Sequence, residues 1–246
     1  TGVIRRIRQQ IEDWGGQVRF GVRADGLLIE EDRIQGVCLS DGGHLRTQNV
    51  VLAIGHSARD TFLWLQRAGV AMEAKSFAVG LRVEHPQEMI DFLQYGMTPR
   101  PEPLPPAPYK ITARAQDGRG VYSFCMCPGG YVVDASSEPG RLAVNGMSYS
   151  GRDGKNANSA IIVSVTPEDF GQDGPLAGVE FQRRLEERAF RAGSGTVPVQ
   201  RYGAFSKRAT AGRIPDDFSP CIRGKWQFSD VASILPDPVR IAFEEG

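Results

Sequence analysis

Apolar residues recur at Ile4, Ile7, Ile11 and Trp14, spaced three, four and three apart, with Arg5, Arg6, Arg8, Glu12 and Asp13 between them. That spacing predicts an amphipathic helix, stopped by Gly15-Gly16. Short alternating runs follow at 18–22, 27–30, 33–39 and 45–54. Glu31-Asp32 and Asp41-Gly42-Gly43 mark turns between them, so they read as strands of a small meander. The last run ends in Val50, Val51, Leu52, Ala53 and Ile54, a continuous apolar stretch that predicts a buried strand. Gly55 ends it. Ser57 or Asp60 is placed to cap a helix over 61–68. A buried strand, a glycine turn and a capped helix together aim backbone N–H groups at a ligand.

Beyond this point the period changes. Residues 77–86 alternate as a strand, and six prolines between 99 and 108 predict a stiff, extended connector. From 109 to 165 the pattern is β-rich, with strands expected at 109–113, 121–127, 131–134, 142–145 and 160–165. Thr166-Pro167-Glu168-Asp169 reads as a capped helical turn with proline at its first position. Residues 178–192 predict a helix with Phe181, Leu185 and Ala189 on one face. Glu180–Arg184, Arg183–Glu187 and Glu187–Arg191 are spaced for i,i+4 pairs on its solvated side. Gly193 stops this helix, and Asp237-Pro238 starts a last one.

Composition narrows the function classes. The 246 residues carry 29 Lys and Arg against 29 Asp and Glu. This balance supplies no electrostatic reason to expect a nucleic acid or a membrane surface as partner. No apolar run approaches the roughly 18 residues of a membrane span. Cys38, Cys125, Cys127 and Cys221 form neither a disulfide framework nor a paired zinc set, so reduced thiols in a cytoplasmic protein are expected. His44, His56 and His85 are the only histidines, and none has a helical i,i+4 partner, so no metal is expected. The chain starts at Thr1, just ahead of an amphipathic pattern, as if cut from something longer.

Three stretches carry candidate chemistry. In Ala53-Ile54-Gly55-His56-Ser57 the glycine lets the backbone approach a ligand, and His56 or Ser57 offers hydrogen bonds. An ordinary strand-to-helix turn has the same pattern. In Cys125-Met126-Cys127-Pro128-Gly129-Gly130 a strand would point both thiols to one face, and the turn would bring the backbone close to a flat ligand. A thiol there suits redox or proton transfer, with plain packing as the alternative. Residues 145–159 crowd Asn145, Ser148, Arg152, Asp153, Lys155, Asn156, Asn158 and Ser159 together. Recognition of a polar or anionic ligand needs such a density of donors and acceptors, and a well-bonded surface loop has it too. Arg82 and Glu84 share a strand face, with His85 on the other. His85 is a candidate acid or base near neutral pH, or a structural residue.

Four segments, 52–61, 77–87, 120–130 and 145–160, resemble in order the bacterial FAD-dependent dehydrogenases of largely unassigned substrate. These belong to the flavoproteins with two dinucleotide-binding domains. The resemblance implies an α/β fold that becomes α+β in its second part. It pairs an incomplete FAD/NAD(P)-binding domain over 1–76 with a β-rich substrate or cap domain over 77–235, and 236–246 would begin a return to the first. The family's G-x-G-x-x-G loop and Gly-rich C-terminal segment are absent from this sequence. An internal piece that binds FAD weakly or not at all is therefore expected. The implied activity is that of an FAD-dependent oxidoreductase passing hydride between a small-molecule substrate and flavin N5, with NAD(P)H a candidate electron donor. Cys127, Cys125 and His85 are then the catalytic candidates. Ala53, Ile54, Gly55, His56, Ser57, Pro128, Gly129 and Gly130 are the cofactor-binding candidates, and Asn145, Gly146, Met147, Ser148 and Arg152 the substrate-binding ones. The other reading is a non-catalytic binding module on a flavoprotein-like scaffold.

Overall fold

The N-terminal amphipathic pattern forms α1, Gly2–Asp13, in a computed structural model that describes residues 2–206 and 218–246. Thr1 lies outside the described residues. The chain divides into two units, Thr1–Met72 and Glu73–Gly246. In the first unit no residue of α1 is buried, and Ile4, Ile7 and Trp14 all stand exposed. The apolar face of this helix is therefore uncovered among the described residues. The meander is β1 (Ala24–Glu30), β2 (Arg33–Leu39) and β3 (His44–Arg46), antiparallel in that order. Glu31 and Asp32 turn the first hairpin with φ of 50° and 59°, the pair of left-handed residues that a two-residue loop requires.

Two expected strands do not form. Residues 18–22 are irregular, and of the run 45–54 only Leu45 and Arg46 are strand, the end of β3. Val51 is 91% exposed, and Leu52 and Ile54 are exposed as well. A buried strand requires ladder partners and cover on its faces. Residues 50–54 have no ladder partner among the described residues. The helix after them, α2 (Arg59–Arg67), does form, but its N-cap is Ala58, which has no side-chain cap.

The second unit is built on an antiparallel sheet of β4 (Phe77–Pro86), β9 (Asn156–Val165), β6 (Gly120–Cys127) and β5 (Thr112–Arg114) in that spatial order. β4 pairs with β9 residue by residue, from Phe77 opposite Val165 to Pro86 opposite Asn156. The alternation of β4 places Phe77, Val79, Leu81 and Val83 against a core of Val121, Val163, Val165, Phe170, Phe181 and Phe243. Phe170 is fully buried, with its ring 5.2 Å from that of Phe77 and 5.6 Å from that of Phe181. α3 (Gln87–Tyr95) follows β4 directly. β7 (Tyr131–Asp134) and β8 (Val144–Met147) pair antiparallel, and β11 (Ile222–Arg223) adds to β7 in parallel.

α4 (Ala177–Ala192) buries Phe181 and Ala189 as its period predicts. Beyond it, β10 (Val197–Val199) pairs in parallel with β12 (Trp226–Phe228), and the short α5 (Tyr202–Phe205) lies between them in sequence. Residues 237–245 form α6 (Asp237–Glu245), and its Val239, Ala242 and Phe243 belong to this unit's core. On the charged side of α4 only Glu187–Arg191 pairs as spaced, at 3.6 Å. Arg183 instead reaches Glu138 at 2.8 Å, and Arg141 reaches Glu187 at 3.0 Å. The face read as solvated is therefore partly covered by the segment around 138–141.

The turn at 167–170 carries the predicted cap. The Asp169 carboxylate accepts the Thr166 N–H at 2.8 Å and both terminal nitrogens of Arg119 at 2.7 Å. The Arg119 hydrogen bonds hold Asp169 below the ordinary carboxylate range, against the opposing effect of its burial. A depressed carboxylate contributes stability that is complete above its unfolded pKa, about 3.9, and lost as pH falls through the lower folded value. Urea midpoints should therefore drop on acidification below about pH 4. Asp169→Asn should flatten that drop, and equal slopes in the two proteins would assign it to other carboxylates.

Candidate functional site

β6 does not stay regular to its end. Phe124 faces Ala160 and Cys127 faces Asn158, so three steps along β6 match two along β9. The extra residue is a β-bulge, and Cys125 takes it up with φ of 46°. This overturns the expectation that strand alternation places Cys125 and Cys127 together on one face. The bulge instead brings Phe124 and Cys127 to the same face, because Ala160 and Asn158 are two apart on β9. Cys125 is exposed and Cys127 half-buried, with the Cys127 thiol directed at the Cys125 carbonyl at 3.4 Å.

That face also carries Arg82 and Glu84, opposite Ala160 and Asn158 on the other side of β9. Arg82 donates through Nη1 to Asn158 Oδ1 at 2.7 Å and the Cys125 carbonyl at 3.3 Å, and through Nη2 to Asn145 Oδ1 at 3.2 Å. Burial lowers the Arg82 pKa from its usual value. Gly146 closes the cluster from β8. A Cβ there would lie 2.3 Å from Arg82 Nη1, 2.4 Å from Asn158 Oδ1 and 2.7 Å from Cys127 Sγ. The cluster forms only because that position has no side chain. Two of its donors, Arg82 Nε and Asn158 Nδ2, are buried without a hydrogen-bond partner. A buried unpaired donor is costly, about 1–3 kcal/mol, and calls for an explanation where it occurs.

The turn 128–130 is buried and tied on every side. Gly129 N–H donates to Gln87 Oε1 at 2.8 Å, and Gly130 N–H to the Asn156 carbonyl at 2.8 Å. The Pro128 carbonyl accepts from Ser148 Oγ at 2.8 Å, and the Gly129 carbonyl from Gly154 N–H at 3.1 Å. Both glycine amides are used within the protein, so the turn supports the cluster as a rigid base. Gln87 is held in turn by Asp91, which accepts from Gln87 Nε2 and the Ala107 N–H at 2.8 Å each and from Arg100 Nη1 at 2.7 Å. This chain of bonds fixes the proline-rich segment against α3. Sequence reasoning passed over Gln87 and Asp91. The available signal was an i,i+4 polar pair directly after Pro86, which looks like any solvated helix face.

Other predicted residues lie apart from the cluster. His85 points to the opposite face of β4, its Nε2 2.9 Å from Tyr109 Oη, and burial lowers its pKa so that neutral imidazole is favoured. Glu84 accepts from Asn156 Nδ2 at 2.7 Å and from the Cys221 N–H at 2.5 Å, and burial raises its pKa. Asn145 and Gly146 belong to the cluster. Met147 pairs across from Tyr131, and Ser148 supports Pro128. Arg152 is exposed in a turn with φ of 50°. In the first unit, Gly55 has φ of 70° in the turn ahead of α2, and Ser57 Oγ lies 3.2 Å from His56 Nε2. Ala53 and Ile54 are exposed rather than enclosed in a strand. Among the described residues no group of His, Cys, Asp and Glu could hold a metal, and no helix is long and apolar enough to cross a membrane.

Residues 76–246 match the family described as FAD-dependent protein, C-terminal domain-like. The whole chain is also 44% identical, over 248 residues, to an uncharacterized protein of Clostridium beijerinckii. The match covers 100% of this chain and 46% of that protein, so the chain spans about half the length of this relative.

Proposed function

The chain belongs to the FAD-dependent protein, C-terminal domain-like family, and we propose that it serves a flavoprotein oxidoreductase as the part that presents substrate to the cofactor. The observation that carries this reading is the cluster at the bulge. The Cys127 thiol, the Arg82 guanidinium and the Asn158 carboxamide, the last two each with one unpaired buried donor, gather against the bare Cα of Gly146 in a domain whose family is FAD-dependent. Bound FAD would supply two-electron chemistry, with hydride exchanged between its N5 and a small-molecule substrate. Cys127 Sγ holds the movable proton of the cluster, and Arg82, Asn145 and Asn158 orient polar atoms of a substrate. The turn 128–130 keeps Cys127 in place through bonds that leave its own amides occupied.

The residues present fit FAD only in part. Gly55 leads through a left-handed turn into α2, as a dinucleotide contact requires, and residues 53–57 keep that assignment as a proposal. No G-x-G-x-x-G occurs in the sequence, and residues 50–54 lack strand neighbours among the described residues. Expression of the complete reading frame that contains these residues tests the proposal. That protein should purify yellow with FAD, while the 246-residue chain alone should bind flavin far more weakly. In the complete protein Cys127→Ser should slow flavin reduction by roughly 10²-fold, the scale of a lost proton-transfer group. Cys125→Ser should change it little. A colourless complete protein would remove the flavin reading, and an unchanged Cys127→Ser rate would remove the thiol from the chemistry.

A further inference from the structure

A cavity of about 740 Å³ lies within the second unit. β4 runs along it for its whole length except Phe77, and Leu142, Val144, Ile162, Leu185, Val199 and Phe228 supply apolar walls. Its size falls within the range of small-molecule sites, roughly 300–1,000 Å³. The wall also contains Arg82 and Glu84, so the cavity adjoins the cluster at the bulge.

The two groups differ in what they lack. The Glu84 carboxylate already accepts from Asn156 and from the Cys221 amide. Arg82 donates to two side-chain amide oxygens and a main-chain carbonyl, with the Cys127 thiol beside it. Among the described residues no carboxylate forms an ion pair with it, and its Nε has no acceptor. Asn158, fully buried beside it, likewise leaves Nδ2 unpaired. Both unfilled polar positions, Arg82 Nε and Asn158 Nδ2, are donors, and Arg82 lies on the wall of a mostly apolar chamber that also carries Glu84, Glu186 and Arg201. A half-buried guanidinium is most stable opposite an anion that it can bind through parallel N–H bonds.

We infer that this cavity binds an apolar carboxylic acid, with the hydrocarbon body between β4 and α4 and the carboxylate on Arg82. As a statement of binding the inference stands without the flavin. As a statement of substrate class it rests on the oxidoreductase reading.

Calorimetric titration of the flavin-free 246-residue chain with octanoate and with octanol separates the two. Octanoate should bind about tenfold more tightly than octanol or better, the difference expected from one charged hydrogen-bonded pair. Arg82→Gln should abolish that preference. Arg82→Lys should retain part of it. Val144→Phe, which narrows the chamber, should weaken both ligands. Absent octanoate binding, equal affinities in the unaltered chain, or a preference that survives Arg82→Gln would each overturn the inference. So would octanoate binding untouched by Val144→Phe, since the ligand would then sit elsewhere. If Arg82→Gln fails to fold, the octanoate-to-octanol ratio of the unaltered chain still decides. Failure here leaves flavin binding by the complete protein standing, and the converse also holds.

Discussion

Gly129→Ala should cost the second unit about 2–5 kcal/mol, the sum of left-handed strain and forced backbone displacement. Gly129 has φ of 49°, and a Cβ there would lie 1.9 Å from the Arg152 carbonyl oxygen and 2.4 Å from its carbon. Backbone cannot swing aside as a side chain end can, so the turn 128–130 must move away from residues 152–154. That motion would break the Gly154 bond to the Gly129 carbonyl and pull on the Gln87 bond to the Gly129 amide. Gly118→Ala is the matched control. Gly118 has φ of 87° and nothing within 4 Å of its Cβ position, so it should pay strain alone, about 1–2 kcal/mol. Urea unfolding of both variants measures the difference. Equal losses would show that the approach of residues 152–153 is not what demands glycine at 129.

Asp91→Ala should lose a comparable amount, about 3–5 kcal/mol, because it strands partners inside the protein. Asp91 is 5% exposed and accepts three bonds, from Gln87, Arg100 and the Ala107 amide. Its removal leaves the fully buried Ala107 N–H without an acceptor and the Arg100 guanidinium without its counter-charge. Asp91→Asn keeps the shape and one acceptor oxygen, so it should cost less than half as much. The variants also differ locally. Loss of Asp91 should free the segment 99–108 for proteolysis before the unit as a whole unfolds, while Asp91→Asn should protect it. Simultaneous cleavage and global unfolding in Asp91→Ala would contradict that order.

Both sites sit behind the cluster rather than in it. Gly129 lies in a motif that stands out in the sequence, whereas Asp91 does not. The predicted thiol motif was legible because Pro and Gly, both depleted in strands, follow directly on two cysteines. Its geometry was not. Strand alternation is a two-residue rule that holds only while pairing stays in register, and the bulge at Cys125 breaks the register from β9, some 30 residues away along the chain. Arg82 was placed correctly on a face with Glu84, yet its partners, Asn145 and Asn158, arrive from two other strands. The oxidoreductase reading joins these observations, and the bulge variants above test it.

Local periodicity determined much by itself. It placed α1, β4, β7 and α4 within a residue or two, and it found the Thr166–Asp169 cap, because each shows its period or its capping residues within its own segment. It also identified the motif-bearing turn at 125–130. The tertiary structure alone decided which apolar residues are covered. Ile4, Ile7 and Val51 have the patterns of buried residues and stand exposed, whereas Gln87 and Asp91 have the pattern of surface residues and are buried. The physical reason is that burial and hydrogen-bond satisfaction belong to pairs of distant segments. A sequence window shows what each residue could donate, accept or cover, and the meeting of strands supplies the partner.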